Sequence, residues 1–302
     1  MSRDVSFRRK VIYIAIIALL LYPLFVIGQP TGPDGKGGGL LAQLREEEGL
    51  SQAKLGDIDP ASESMKLATL GLRGAATLIL WEKANEYKKK EDWDKLSATL
   101  NQITKLQPNF ISVWEFQAHN LSYNISVEFD DYRYRYHWVT KGIDFLIDGI
   151  HYNADNPRLL HSVGWFVGQK IGRADEHVQF RELFREDDDF HKVLFDELAA
   201  ADVPTAEASG YDQRPDNWLV GRLWYHWAEQ AVDAGKVLKG KSPLVFHSDS
   251  AMSRINYSST IEEEGNLGDV AQLAWRKADA DWQAFGRRPI TTAQMEDFVG
   301  LM

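Results

Sequence analysis

The stretch that decides the fold is LWEKANEYKKKEDWDKLSATLNQITKLQPN, residues 80–109. Ala84 and Tyr87 stand one turn apart, so they lie on one face of a first helix. Glu91 and Asp92 then predict a turn, because the apolar period is interrupted there. The second helix has its apolar residues at helical spacing and closes at a proline: Trp93, Leu96, Leu100, Ile103 and Pro108.

This spacing resembles a tetratricopeptide repeat (TPR), a helical hairpin of about 34 residues. In that family, small residues at positions such as Ala84 let the two helices of a hairpin cross closely. The proline at the end of the second helix sets up the next hairpin. The resemblance implies an α-solenoid, in which successive hairpins stack and expose a concave surface.

Two further units follow the same frame. The second unit opens at Trp114 and Ala118, and the segment between its helices is about a dozen residues longer than the repeat pattern allows. That excess predicts either longer helices or an inserted loop. A third unit begins at Pro157 with Gly172 in its turn, but its second helix fits the pattern poorly. The residues that line the second helix of the second unit are Gly142, Leu146, Gly149 and Tyr152.

The C-terminal part diverges from the repeat pattern and is still predicted to be helical. RPDNWLVGRLWYHWAEQAVDAG predicts a helix that ends at a capping glycine, Gly235. A last hairpin turns between Gly265 and Gly268 and is capped at Gly286. PLVFH, residues 243–247, is the one strand-like fragment, and it is too short to define a sheet. The predicted fold class is therefore all-α.

The N-terminus predicts a membrane anchor. MSRDVSFRRK is basic, and the apolar run that follows, residues 11–28, carries no charge. Its length is near the lower end of the roughly 17–25 residues that span a bilayer, and it exceeds the roughly 7–15 residues of a signal-peptide core. Because basic residues stay on the cytoplasmic side, the rest of the chain is expected outside the cytoplasmic membrane. A cleaved signal peptide and a buried core helix are the alternatives.

The predicted organisation is a single-pass, TPR-like protein with its N-terminus inside and its bulk periplasmic. The linker is rich in glycine and proline, which deny it regular structure, and it includes a short helix. The five segments are a basic tail (1–10), a transmembrane anchor (11–28), a linker (29–60), TPR-like repeats (61–186) and a divergent helical region (187–302).

Composition narrows the possible function classes. The chain has 302 residues and a formal net charge of -10, which disfavours a nucleic-acid partner, since phosphates select a basic face. It contains no cysteine, which excludes disulfides, thiolate nucleophiles and Cys-ligated zinc. The sequence has neither a phosphate-binding glycine loop after a strand nor a G-x-S-x-G elbow. No cofactor is predicted.

Four phrases carry a second resemblance: DIDPASESMKLATLGLRG, GWFVGQKIG, RPDNWLVGR and IEEEGNLGDVAQLAWR. They are similar to a family of bacterial membrane-anchored proteins, and the similarity covers most of the chain after the linker. This resemblance implies the same anchored arrangement. It brings no catalytic residues to carry over.

FREDDDFH, residues 184–191, is the candidate for a metal site, since carboxylates beside an imidazole can bind iron, manganese or zinc. A bundle site needs a second matching set, and the nearest pair is Glu115 and His119. The other interpretation is that an Asp among 187–189 caps a new helix. The residues that would bind the metal are Asp187, Asp188 and His191. The residues that would face the core of a capped helix are Phe190, Leu194 and Leu198.

The repeat groove is the predicted binding surface. In the TPR family the first helix of each repeat lines the concave face, where partner peptides lie. Asn85 matches the asparagine of the family's carboxylate clamp, but Trp81 stands where that clamp has lysine. An apolar or extended peptide is therefore the predicted partner; the alternative is that the tryptophans are core. The predicted groove residues are Trp81, Asn85, Lys88, Lys89, Glu115, His119, Tyr123, His161, Trp165 and Gln169.

Three functions follow as hypotheses. The first is a non-enzymatic, membrane-tethered scaffold that binds a protein or an extended peptide. The second is a metal-binding protein or metal-dependent enzyme that uses the acidic and histidine cluster at 186–191. The third is a structural envelope protein that acts by self-association. The sequence does not indicate the oligomeric state.

Overall fold

The computed structural model describes residues 73–236 and 242–289, together with isolated positions between 13 and 40. Over these residues the chain is helical, and extended backbone pairs only in one isolated bridge between Ser209 and Pro215. The predicted all-α class is confirmed. The α-helices are α1 (Arg73–Lys89), α2 (Trp93–Leu106), α3 (Ile111–His119), α4 (Tyr132–Tyr152), α5 (Pro157–Trp165), α6 (Ile171–Arg173), α7 (His177–Glu186), α8 (Asp188–Ala200), α9 (Asn217–Asp233), α10 (Pro243–Glu263) and α11 (Asp269–Gly286).

The chain divides into two compact units. The first comprises residues 1–89 and 99–109, and the second comprises residues 90–98 and 110–302. The predicted hairpin stretch forms α1 and α2, with a turn between them as expected. Glu91 has a φ of 56° in that turn, in the left-handed region. Ala84 on α1 is buried, as its predicted role at a helix crossing requires.

Within the second unit, α4 packs against α3 through glycines that the repeat pattern places there. A Cβ on Gly149 would lie 2.8 Å from the indole of Trp114, so only glycine lets the ring approach. The dozen extra residues predicted between the helices of the second repeat unit are longer helices and not an inserted loop. α3 continues through a π-helical turn, π1 (Asn120–Ile125), and a 3₁₀ turn (Ser126–Glu128).

The helices α5 and α9 cross closely at a pair of glycines. α5 continues without a break into a second π-helical turn, π2 (Phe166–Lys170), and then into α6. A Cβ on Gly221 of α9 would lie 2.9 Å from the carbonyl oxygen of Gly164, and the converse distance is the same. Further along, Gly172 leaves room for the indole of Trp218, which a Cβ would approach to 2.5 Å. The glycines of GWFVGQKIG therefore let α9 lie directly on this long helix.

A buried ion pair connects four elements of the second unit. Arg181 on α7 is 1% exposed, and its Nη2 donates to Oδ2 of Asp216 at 3.0 Å. Its Nη1 donates to the side-chain oxygen of Asn217, and its Nε donates to Glu264 at 2.9 Å. The amide of Asn217 then donates to the carbonyl oxygens of Val167 and Gly168 at 3.2 and 3.0 Å, both in π2.

Most of the apolar core of the second unit is one continuous cluster. It runs from Trp114 on α3 through Leu160 and Trp224 to Phe246 on α10. A smaller cluster around Trp218 and Tyr257 lies between α9, α10 and α11. The C-terminal helices α9 and α10 are thus packed into the same core as α3, α4 and α5.

Several local predictions in the C-terminal part are confirmed and two are wrong. Gly235 follows α9 with a left-handed φ of 82°, and Gly265 and Gly268 form the turn before α11. Gly286 is the last residue of α11 and does not follow it, so the cap is Arg287. The strand-like PLVFH is the first turn of α10, because Ser242 caps it and Pro243 occupies the first helical position.

No helix in the ranges 73–236 and 242–289 or at the isolated positions is long and apolar enough to cross a membrane. The predicted tail, anchor and linker lie outside the described residues, apart from the isolated positions between 13 and 40. The first residues of the repeat region, 61–72, also lie outside them. These assignments stay predictions.

Replacing Gly221 with alanine is expected to destabilise the protein by about 1–3 kcal/mol, the usual cost of overpacking a closed interface. The added methyl group would press on a backbone carbonyl that cannot rotate away. Urea unfolding followed by circular dichroism measures the change. Gly286→Ala is the matched control, since nothing lies within 4 Å of its Cβ position. Equal effects of the two substitutions would contradict the close crossing.

Replacing Arg181 with methionine is expected to cost up to about 3–5 kcal/mol of folding stability, because the buried carboxylate of Asp216 would keep only the more distant Arg185, at 3.6 Å, as a cationic partner. The same unfolding measurement applies. Lys192→Met removes an ion pair with Asp196 in which both side chains are exposed, so it should leave the unfolding midpoint unchanged. A loss below about 1 kcal/mol in Arg181→Met would show that the ion pair is not structurally important.

Candidate functional site

The predicted groove residues fall into the two units. Trp81 and Asn85 on α1 are partly buried, and Lys88 and Lys89 on the same helix are exposed. These four belong to the first unit, and the other six belong to the second. The geometry of the candidate site is therefore built from the residues of the second unit.

Three of those six residues form a continuous run of rings, here called the aromatic row: His119, Tyr123 and Trp165. The rings of His119 and Tyr123 stack with centroids 4.5 Å apart and planes 15° apart. The rings of Tyr123 and Trp165 lie 6.0 Å apart. His119 is exposed, while Tyr123 and Trp165 are partly buried. The row is thus partly open to solvent, and Tyr123 and Trp165 also pack against the core.

A cation that the sequence did not indicate lies against this row. The Nζ of Lys170 stands 4.1 Å from the centroid of the Tyr123 ring, in cation–π geometry. Lys170 is 8% exposed, and burial lowers the pKa of its ammonium group. Within the described residues no carboxylate forms a hydrogen bond or ion pair with it. Glu176 and Asp175 act on this ammonium only through their electrostatic fields, so it keeps N–H donors for an anion that reaches it.

Both sides of this contact come from π-helical turns. Tyr123 belongs to π1, and Lys170 is the last residue of π2. A π turn widens the helix and redirects the side chains that follow, and such turns are frequent at functional sites. The carbonyl groups that π2 releases are bound by Asn217, which fixes the turn in place. The position of Lys170 thus depends on a tertiary contact.

The remaining predicted groove residues have other surroundings. Glu115 forms an ion pair with Arg158 and accepts a hydrogen bond from Ser162 at 3.3 Å. His161 is 4% exposed, and its Nε2 lies 2.8 Å from Oδ2 of Asp249 on α10. Gln169 is partly buried. The structure therefore brings Glu115 and the aromatic row to one region, and it turns His161 towards α10.

The predicted helix cap in FREDDDFH is confirmed. Asp187 precedes α8, and its Oδ1 accepts from the backbone N–H of Phe190 at 3.1 Å. Its other oxygen accepts from the hydroxyl of Tyr136 at 3.2 Å. Asp188 is exposed in the first turn, where negative charge is favourable. The residues predicted to face the core, Phe190, Leu194 and Leu198, are all buried.

His191 lies inside the core, and neither Asp187 nor Asp188 forms a hydrogen bond or ion pair with its ring among the described residues. It is 4% exposed, with its ring 4.8 Å from Phe184 and 5.9 Å from Phe195. Burial lowers the pKa of its imidazole, and its Nε2 has no hydrogen-bond partner among the described residues. No group of three or more His, Cys, Asp or Glu side chains in the described chain is arranged to hold a metal ion. The arrangement gives no support to the metal-site hypothesis for Asp187, Asp188 and His191.

No protein-family model matches the chain, no curated protein matches it, and no solved structure matches it. The function is therefore inferred from the side chains of the second unit. Two features there could bind a ligand: the aromatic row with Lys170, and a charged cavity at the C-terminal end.

Replacing His191 with leucine is expected to flatten the pH dependence of stability below pH 6.5. Because burial lowers its pKa from the ordinary 6.5, the unfolded chain takes up a proton that the folded chain resists, so wild-type stability falls as the pH falls. The slope from this group is at most about 1.4 kcal/mol per pH unit. Urea unfolding at several pH values between 7.5 and 5 (roughly the range in which histidine titrates) measures it.

The control for this experiment is Val193→Ala, an exposed neighbour on α8 that does not titrate and should keep the wild-type slope. A leucine variant that loses stability on acidification as steeply as the wild type would show that His191 does not contribute to the pH dependence.

Proposed function

We propose that this protein is a non-enzymatic, membrane-tethered scaffold whose second unit binds an extended peptide along the aromatic row. The main support for the proposal is the contact between the aromatic row and the ammonium of Lys170, which forms no hydrogen bond or ion pair with a carboxylate among the described residues. Aromatic rings held by the core offer large contact area at little entropic cost. The bound peptide is a segment of another protein.

The chemistry of the row defines the partner. A peptide that fits it places an aromatic or aliphatic side chain against Tyr123 and Trp165 and an acidic side chain beside Lys170. Ring contacts of this kind contribute about 0.5–1.5 kcal/mol each. A hydrogen bond to a charged group contributes about 1.5–3 kcal/mol. A single buried ammonium suits one carboxylate on a flexible side chain better than a terminal carboxylate, which takes several donors.

The membrane tether is the second part of the proposal. Large apolar residues at the described positions of the segment 11–28 are exposed, among them Leu19 at 75% and Tyr22 at 72%. A run of this kind is unfavourable in water and favourable in a bilayer. A tether through this segment would confine the peptide-binding unit to the membrane surface and raise the local concentration of its partner. The basic residues before it favour an extracytoplasmic position for the bulk.

The binding proposal is tested with the full chain in detergent micelles and a displayed library of random peptides. Selected peptides are expected to combine a large apolar residue with a nearby Asp or Glu. Their affinity, measured by fluorescence anisotropy, should fall about tenfold or more in Lys170→Met, which removes a hydrogen bond to a charged group, and about two- to twelvefold in Tyr123→Ala, which removes a ring contact. Tyr134→Ala is the control, since Tyr134 is a 62% exposed tyrosine away from the row and its loss should not change affinity.

Two results would contradict the binding proposal. One is a selection that yields only peptides without an acidic residue, with affinities that Lys170→Met leaves unchanged. The other is binding that Tyr134→Ala weakens as much as Tyr123→Ala does. Circular dichroism of each variant separates loss of binding from loss of folding.

A further inference from the structure

A polar cavity of about 340 Å³ lies between α9, α10 and α11 and shares no residue with the aromatic row. Its wall on α9 carries Arg222, His226 and Glu229, which recur at helical spacing and so point to the same side. His247 on α10 faces them, and Arg287 and Arg288 follow the end of α11. Charged groups from three helices thus converge on one small space.

The first carboxylate in the wall, Glu229, already has three cationic or imidazole partners. Its Oε1 lies 2.5 Å from Nη1 of Arg288 and 3.3 Å from Nδ1 of His247. Its Oε2 lies 3.3 Å from Nδ1 of His226. Burial raises the pKa of Glu229, but the hydrogen bond from His226, the charge of Arg288 and the hydrogen bond from His247 outweigh burial, and the pKa is lowered. This carboxylate is ionised and fully engaged.

The second carboxylate, Asp281, is engaged in the same way. Arg222 donates to its Oδ2 at 2.9 Å, and Arg254 pairs with the same oxygen at 2.8 Å. Two more acids pair with the outer sides of the arginines: Glu207 with Arg222 and Asp233 with Arg288. Their side chains are 54% and 48% exposed, and they offset the charges of Arg222 and Arg288.

Arg287 is the third arginine that lines the cavity. Arg287 donates to the side-chain oxygen of Gln283 at 3.0 Å, and within the described part of the chain no carboxylate pairs with it. Three guanidinium groups and two carboxylates therefore line the cavity; both oxygens of Glu229 have partners, and Asp281 is paired through its Oδ2. Phe285 and Ala251 add an apolar portion to the wall. Because Arg222 and Arg288 are each paired with two carboxylates, the cavity offers a guest chiefly the N–H donors and the charge of Arg287, together with a small surface for carbon atoms.

We propose that this cavity is a binding site for a small organic oxyanion, such as a phosphate ester or a carboxylate. Guanidinium groups recognise both kinds of oxyanion through paired N–H donors. A volume of about 340 Å³ is at the small end of the range for ligand pockets, so a metabolite-sized guest fits and a folded partner does not. The site is independent of peptide binding at the aromatic row, and either can exist without the other.

The test is isothermal titration and thermal unfolding of the full chain with inorganic phosphate, with citrate and with sodium chloride at equal ionic strength. Phosphate or citrate is expected to bind and to raise the unfolding midpoint, while chloride does not. A stronger effect of phosphate assigns the site to phosphate esters, and a stronger effect of citrate assigns it to carboxylates. Arg287→Gln should weaken the binding by about tenfold or more, the usual effect of losing a charge-assisted hydrogen bond.

The matched control is Arg276→Gln, an exposed arginine on α11 that does not line this cavity and should leave the affinity unchanged. The proposal is overturned if neither anion shifts unfolding beyond the chloride control. It is also overturned if Arg287→Gln binds as tightly as the wild type, or if Arg276→Gln weakens binding to the same extent. Arg287 is exposed, so its replacement is not expected to prevent folding.

Discussion

The charge of Arg181 is the constraint on which the second unit depends. A guanidinium group that is 1% exposed must be paired, since an isolated buried charge is far more costly than the pair. The partners it requires lie at the start of α9 and the end of α10, so both helices are held against α7. Asn217, which is one of those partners, also binds the π2 carbonyls. The position of Lys170 beside the aromatic row is thus connected to a charge pair in the core.

Features encoded by neighbouring residues could be predicted from the sequence. The all-α class, the turn after α1, the Asp187 cap and the glycine turns at 235 and 265–268 all follow from local rules for helix ends. The interpretation of PLVFH as strand-like was wrong, and the reason also lies in neighbouring residues. The apolar run suggested a strand, but Ser242 and Pro243 indicate a helix start, because a serine cap followed by proline at the first helical position is typical of one.

Features that depend on distant residues could not be predicted. Nothing in the local sequence of α5 indicates that it passes through a π turn, because the donor that stabilises the turn comes from α9. Lys170 was therefore not among the predicted groove residues, whereas Tyr123 and Trp165 were included because of the TPR-like register. His161 was placed in the groove by the same spacing, but Asp249 and Phe246 of α10 cover it. The repeat pattern does not extend to the C-terminal helices, so it did not predict which helices they pack against.

The sequence separation of the Arg181 contacts has a consequence for synthesis of the chain. Asn217 lies 36 positions after Arg181, and Glu264 lies 83 positions after it. A ribosome makes the chain from the N-terminus, so α5 and α7 leave it well before their partners exist. During that interval the π2 carbonyls and the guanidinium group are hydrated by water. The surface beside Tyr123 acquires its final shape only after the start of α9 has been translated and has docked.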